Sequence, residues 1–248
     1  MKMKIRRSLL IIACAALLLV PLAACSDEEE VGVEQPLAPG QTKIEPAVKL
    51  PWEQTGDATL KVLNSSTFRT GSGEFVYLVG EIENTGGEPV GNVKVTARMI
   101  DEAGAVVATK ETIALLRRVP AGGKTPYSTA MDAREAVKYT LEVTAEPAPP
   151  EPKNRLEIQD QQMTEPKAGY VWLSGVVKNV GDVAAQSVQV IGVMYDAQGA
   201  VVDATTQDLE GTLEPGATQS FKSLSEKLVY CMGETVHIRL SHDISRST

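Results

Sequence analysis

The chain of 248 residues has few of the side chains that usually carry catalysis or cross-link a small domain. It contains three cysteines and two histidines, and 4% of its residues are aromatic. A hydrolase triad normally uses histidine as its base, and a structural zinc site needs three or four clustered ligands. His237 and His242 are five residues apart, which does not place both on one face of a strand. The sequence therefore predicts no catalytic residues, no metal site and no cofactor.

The chain also lacks an apolar run long enough to cross a membrane. Leu9–Val20 is about twelve apolar residues long, whereas a bilayer core of roughly 30 Å needs about 20 in a helix. Four basic residues and no acidic residue precede this run: Lys2, Lys4, Arg6 and Arg7. A basic start, a short apolar segment and small residues before a cleavage site are typical of a secretory signal.

The end of this segment resembles the lipobox of bacterial lipoproteins. Leu22, Ala23 and Ala24 stand directly before Cys25. The resemblance implies cleavage before Cys25 and a lipid on its sulfur, which would attach residues 25–248 to the membrane. The alternative is an ordinary secretory signal that happens to end beside a cysteine.

The charge of the remaining chain is strongly acidic. Its 20 basic and 32 acidic residues leave a net charge of −12 after the signal. This excludes nucleic acid as an expected partner, because binding to phosphates requires basic patches. Cys231 would then be the one cysteine outside the signal and the lipid site; it is interpreted as a small buried side chain, an intermolecular disulfide or a reactive thiol.

Composition divides the chain into five segments. We predict a signal peptide over 1–24, an acidic, proline-rich tether over 25–56, domains over 57–145 and 154–248, and a proline-rich linker over 146–153. Trp52 is the exception within the tether, and we expect it to pack against the first domain.

The two domains are copies of each other. A shift of 95 residues aligns Val76–Val107 with Val171–Val202, and 13 of these 32 positions are identical. Further along, Tyr127 aligns with Phe221 after a shift that is one residue shorter. A duplicated module therefore determines the fold.

Each copy reads as short strands separated by turns. In the first copy the alternating apolar sets are Leu60/Val62, Phe75/Tyr77/Val79 and Val93/Val95/Ala97/Met99, and each predicts a strand with one inward face. About seven such strands in some 90 residues favour an Ig-like antiparallel β-sandwich. The predicted fold class is all-β, with two tandem Ig-like sandwiches after the signal and tether.

The module resembles the FxLYD-type domain of bacterial surface lipoproteins and the related CARDB-type adhesion modules. The resemblance is carried by Ala97–Asp101 and Gly192–Asp196, where the closing Asp and Tyr195 match the naming motif and Met stands for Leu. It implies an extracytoplasmic β-sandwich and supplies no catalytic residues.

Turn residues recur in register in both copies. Asn and Asp there are interpreted as partners of backbone N–H groups, with a ligand contact as the alternative for the Asn pair and a calcium ion for the Asp pair. Gly80 and Gly175, inside strands, indicate a bulge or a close backbone approach. Tyr77 and Trp172 hold equivalent positions and are expected in the core, the alternative being exposed recognition aromatics. The eight turn residues are Asn84, Gly86, Asp101, Gly104, Asn179, Gly181, Asp196 and Gly199.

Together these features predict a lipid-anchored, extracytoplasmic, non-catalytic protein of the bacterial cell envelope. Its partners would be the membrane, through Cys25, and another envelope protein or a glycan. A passive spacer or accessory subunit of a membrane complex is the alternative, and an envelope hydrolase with a site between the domains is a third.

Overall fold

A computed structural model describes residues 49–69, 74–151, 153, 155–164, 171–196, 198–225 and 235–244, with only the backbone for 224–225 and 235–244. The predictions for Leu22, Ala23, Ala24, Cys25 and Cys231, and for the signal and most of the tether, lie outside these residues. The described residues belong to one compact unit.

The first copy contributes eight of the described strands. They are β1 (Trp52–Gly56), β2 (Leu60–Arg69), β3 (Phe75–Asn84), β4 (Val90–Ile100), β5 (Val106–Ile113), β6 (Arg118–Val119), β7 (Lys124–Asp132) and β8 (Lys138–Pro147). They form one sheet in the order β1-β8-β4-β5, with β6 also beside β4, and a second in the order β2-β3-β7.

The second copy contributes seven described strands. They are β9 (Leu156–Thr164), β10 (Val171–Asn179), β11 (Ala185–Tyr195), β12 (Val201–Asp208), β13 (Thr212–Leu213), β14 (Thr218–Ser225) and β15 (Thr235–Ile244). One sheet has the order β9-β10-β14, and the other places β15 on one side of β11 and both β12 and β13 on the other.

The all-β prediction is confirmed, with one departure from the antiparallel pattern. β1 pairs with β8 in parallel, from Trp52 opposite Tyr139 to Gly56 opposite Val143. Trp52 is partly buried against the first core, as expected. The last five residues of the predicted tether belong to β1 and are therefore part of the first sandwich. β8 likewise runs through Pro147, into the predicted linker. Sequence composition missed β1 because only Trp52 in it is strongly apolar.

The core of the first sandwich lies between its two sheets. Val76, Leu78 and Ile82 of β3 face Val95 and the other inward residues of β4. This corrects the prediction for β3, since the inward set is the one offset by a residue from Phe75/Tyr77/Val79. Phe75 is 45% exposed, and β3 is apolar on both faces because its outer face is covered as well.

Candidate functional site

Asn84 and Asn179 lie at equivalent strand ends and have the same hydrogen bonds. Asn84 donates from Nδ2 to the Glu88 carbonyl at 2.8 Å, and its Oδ1 accepts the Gly86 N–H at 3.0 Å. Asn179 donates to the Val183 and Leu213 carbonyls at 2.8 Å and accepts from Gly181 at 3.0 Å. Both side chains are fully buried. Each amide thus joins a turn to the neighbouring loop.

Asp101 and Asp196 close equivalent turns. Asp101 Oδ1 accepts the Ala105 N–H at 2.8 Å, and Asp196 Oδ1 accepts the Ala200 N–H at 2.8 Å. Gly104 and Gly199 have φ of 84° and 78°, a conformation that favours glycine. Each carboxylate therefore accepts a hydrogen bond from the backbone of its own turn.

The in-strand glycines make room for a cross-strand aromatic ring. A Cβ on Gly80 would lie 2.5 Å from Tyr127 Oη, and one on Gly175 would lie 2.8 Å from Phe221 Cζ. The rings lie directly opposite in the register, and the ladders beside both glycines are irregular. The repeated Gly–aromatic pair is a packing device of the sandwich.

Two buried tyrosines of the first copy share one serine. Tyr127 and Tyr139 donate to Ser65 Oγ at 2.8 Å and 2.7 Å. Burial raises the pKa of Tyr139 to about 12, against the smaller opposing effect of the Ser65 hydrogen bond. Burial also raises the pKa of Tyr127, and the neighbouring Tyr139 adds to that shift. Both hydroxyls therefore remain neutral in the native protein at ordinary pH.

The two copies pack through the outer faces of one sheet each. The first copy supplies Phe68 and Val79 from β2 and β3, and the second supplies Ile191, Val193 and Val201. All five are buried, and β12 lies against β2, β3 and β7. We call this the inter-copy interface.

Polar contacts fix the register of the inter-copy interface. Tyr195 donates its hydroxyl to Glu81 Oε1 at 2.9 Å, and Glu81 is buried. The Val201 N–H donates to Asn64 Oδ1 at 3.1 Å. Because burying a carboxylate without hydrogen bonds is costly, Glu81 favours this alignment over others.

Sequence reasoning missed this interface, although a signal was present. Thr96 and Arg98 of β4 align with Ile191 and Val193 of β11. In the first copy this face carries ion pairs, with Arg98 Nη2 2.7 Å from Glu142 and Lys94 Nζ 3.5 Å from Glu111. An outward position that is polar in one copy and apolar in the other indicates that only the second is covered.

Tyr77 and Trp172, expected in the core, lie on outer faces instead. Tyr77 packs into the inter-copy interface. Trp172 is partly buried, with Lys222 Nζ 4.3 Å from its ring centroid. The aromatic side chains in the two cores are Tyr127, Tyr139 and Phe221, so these outer-face rings correct the prediction.

Two shallow grooves meet at Asp57, between β1 and β2. One, of about 370 Å³, is lined by Gln54 and Lys61, and the other, of about 480 Å³, by Arg118 and Glu146. Asp57 Oδ1 accepts the Thr59 N–H and hydroxyl, each at 2.8 Å, and these bonds lower the pKa of Asp57. The Asp57 carboxylate is therefore hydrogen-bonded within its own turn.

Within the described residues, no three His, Cys, Asp or Glu side chains come close enough together to hold a metal ion. The described part of the chain likewise contains no helix with the length and apolar character needed to span a bilayer.

No protein-family model and no curated protein matches the chain. Among solved structures it is similar to red sea bream transglutaminase (12% identity, 82% of this chain and 29% of that one, TM-score 0.23). It is also similar to an Amycolatopsis orientalis exo-chitosanase (14%, 74% and 25%, TM-score 0.28). A third is the C-terminal globular domain of a Pyrococcus abyssi oligosaccharyltransferase (10%, 75% and 47%, TM-score 0.24). The chain spans less than half of each, and such TM-scores carry no argument about function.

Proposed function

We propose that the chain is a lipid-anchored, extracytoplasmic binding or assembly protein of the bacterial cell envelope, without catalytic activity of its own. The observation that carries the proposal is the basic and apolar start of the sequence, closed by Leu22-Ala23-Ala24-Cys25. The duplicated β-module and its resemblance to FxLYD-type domains support the same extracytoplasmic location.

The inter-copy interface supports a role in presenting surfaces to a partner. A buried apolar contact with the Glu81–Tyr195 hydrogen bond holds two sandwiches in one orientation. A rigid pair loses less conformational freedom on binding than two independent domains, which favours a binding platform. The acidic domains are expected to be repelled by anionic membrane lipids, so only the acyl chains on Cys25 would contact the membrane.

The anchor is tested by following fatty-acid incorporation and membrane fractionation of the full chain. Cys25→Ser is expected to abolish labelling and release the protein from washed membranes, because the acyl chains are the proposed attachment. Cys14→Ser, within the signal, is the matched control and is expected to label normally. Labelling that survives Cys25→Ser would contradict the proposal.

A passive spacer is the second candidate, and the same rigid interface favours it. The two are separated by reversing charge on the solvent face of the first copy, for example at Lys94 and Arg98, and measuring function in cells. A binding platform is expected to lose function at one face. A spacer is expected to tolerate every face and to respond only to changes in overall length.

A further inference from the structure

The two copies differ at one edge of equivalent sheets. In the first copy β1 lies alongside β8, on the side away from β4. In the second copy β15 occupies the place of β8, since Met99 pairs with Tyr139 and the equivalent Met194 with Val236. Within the described residues, β15 pairs with β11 alone. Among the described strands, the outer edge of β15 therefore has no counterpart of β1.

The chain has a segment at the equivalent place in the sequence, but Pro149 of this segment contacts the first copy. The Thr85 N–H bonds to the Thr59 carbonyl and the Val180 N–H to the Arg155 carbonyl, each at 2.8 Å, so Thr59 aligns with Arg155. By this shift of 96, the segment 148–152 stands where β1 would be, with prolines at 149, 150 and 152.

Proline has no N–H to donate, and this segment contacts the first copy. Arg118 Nη1 donates to the Pro149 carbonyl at 2.5 Å. The Cβ that Gly91 lacks would lie 2.7 Å from Pro149 Cδ, so the glycine allows the proline to pack there. Pro149 is thereby held on the first sandwich, and a segment in which three of five residues are prolines is a poor strand partner for β15.

We propose that the outer edge of β15 accepts an extended segment of a protein partner, which pairs in parallel with Val236–Leu240. The inference rests on the proposed binding function and names its site and the chemistry of its partner. The occupant is specified by β1: a strand of about five residues with a large apolar residue at its start, where Trp52 packs on the first core. An open row of N–H and C=O groups recognises a strand and has no comparable fit to a glycan or a helix.

The pairing of β1 with β8 in the first copy shows which hydrogen bonds the partner strand would make with β15. The Tyr139 N–H donates to the Pro51 carbonyl at 3.1 Å, and the Asp57 N–H donates to the Val143 carbonyl at 2.8 Å. Because bonds in a parallel ladder recur at every second residue, Glu53 and Thr55 supply the donors in between. By alignment, the acceptor positions on β15 are Val236, Ile238 and Leu240.

A fused strand tests whether the edge accepts one. The full chain is extended after Thr248 by a Gly/Ser linker of about 20 residues and a copy of Lys49–Gly56, so that the strand acts at high effective concentration. Amide exchange at Val236, Ile238 and Leu240 is expected to slow about tenfold or more. The control fusion carries Glu53→Pro and Thr55→Pro in the copied segment only, and is expected to exchange like the unextended chain.

Equal exchange in the two fusions would overturn the site. So would amides at Val236, Ile238 and Leu240 that are already as protected in the unextended chain as those of Tyr139, Leu141 and Val143. Neither result bears on the lipid anchor or on binding elsewhere, so failure of this site is distinguishable from failure of the proposed function.

The partner is tested in cells with the same two fusions, using a photo-cross-linking amino acid at Ser241 near the end of the edge. The proline control is expected to give a cross-linked protein that the filled-edge fusion loses. Cross-linking that is equal in the two fusions, or absent from both, would contradict a strand-donating protein partner.

Discussion

Two identical dipeptides in this chain have opposite environments. Val106–Val107 and Val201–Val202 each follow the turn Asp-x-x-Gly-Ala. Val106 is 55% exposed at the start of β5, whereas Val201 is fully buried at the start of β12. The dipeptide and the Asp, Gly and Ala of the turn before it are therefore shared by the two copies, and the packing of one copy on the other gives Val106 and Val201 their different environments.

This comparison shows how a duplicated sandwich becomes a single unit. The first copy uses the outer face of β2-β3-β7 as its docking face and leaves the outer face of β4 charged. The second uses the equivalent of that charged face, with Ile191 and Val193, for docking. Its β9-β10-β14 face carries Trp172 beside Lys222 instead. Each copy thus has one docking face, and the two faces are not equivalent.

The largest expected effect comes from a charge at the two equivalent valines. Val201→Asp places a carboxylate in the inter-copy interface and is expected to lower the free energy of unfolding by about 3–5 kcal/mol. Val106→Asp is the matched control and is expected to change it by no more than about 0.5 kcal/mol. Urea unfolding measures both. Equal effects at the two positions would show that the interface contributes little.

Truncation of the two equivalent core leucines compares the sandwiches themselves. Leu78→Ala and Leu173→Ala are each expected to cost about 2–5 kcal/mol, because both side chains are buried and each change leaves a cavity. Thermal unfolding measures the loss. A negligible loss at either position would mean that its strand is inserted with the wrong face inward.

Alkaline pH is expected to destabilise the chain through the buried tyrosine pair of the first copy, which has no equivalent in the second copy. The folded pKa of Tyr139 is raised to about 12, so its contribution is fully present below the unfolded pKa of about 10 and is lost as pH rises towards 12. The difference of about two between the folded and unfolded pKa of Tyr139 corresponds to roughly 3 kcal/mol of stability. The second copy has Phe221 and Val236 at the positions of Tyr127 and Tyr139.

Tyr139→Phe provides the check on this pH dependence. Urea unfolding at about pH 8 and about pH 11 is expected to show a smaller loss of stability in the variant than in the parent chain, since one buried ionisation has been removed. Tyr127 remains, so part of the loss persists. An unchanged loss would place the alkaline sensitivity elsewhere.

The smallest expected effect comes from the hydrogen bond across the interface. Tyr195→Phe removes the hydroxyl that donates a hydrogen bond to Glu81 at 2.9 Å. It is expected to lower the free energy of unfolding by about 1–3 kcal/mol, because Glu81 stays buried. Urea unfolding measures the loss. A gain in stability in Tyr195→Phe would mean that the Glu81 contact is strained.

The sequence was sufficient for the all-β class because alternation and turn residues are local signals. Repeated Asn84 and Asn179 could be placed at turns for the same reason. The face of β3 could not be chosen, because Val76/Leu78 and Tyr77/Val79 are both apolar, one set for the core and one for the interface. β1 was missed because its pairing with β8 is set by a contact some 90 residues away, which leaves no periodic pattern in five residues.

The central claim is that the two copies form one unit through the inter-copy interface. The most direct test is urea titration with hydrogen exchange read separately on β3 and β11. We expect both strands to lose protection at one urea concentration in the parent chain, and at two separate concentrations in Val201→Asp. Separate transitions in the parent chain, unchanged by Val201→Asp, would contradict the claim.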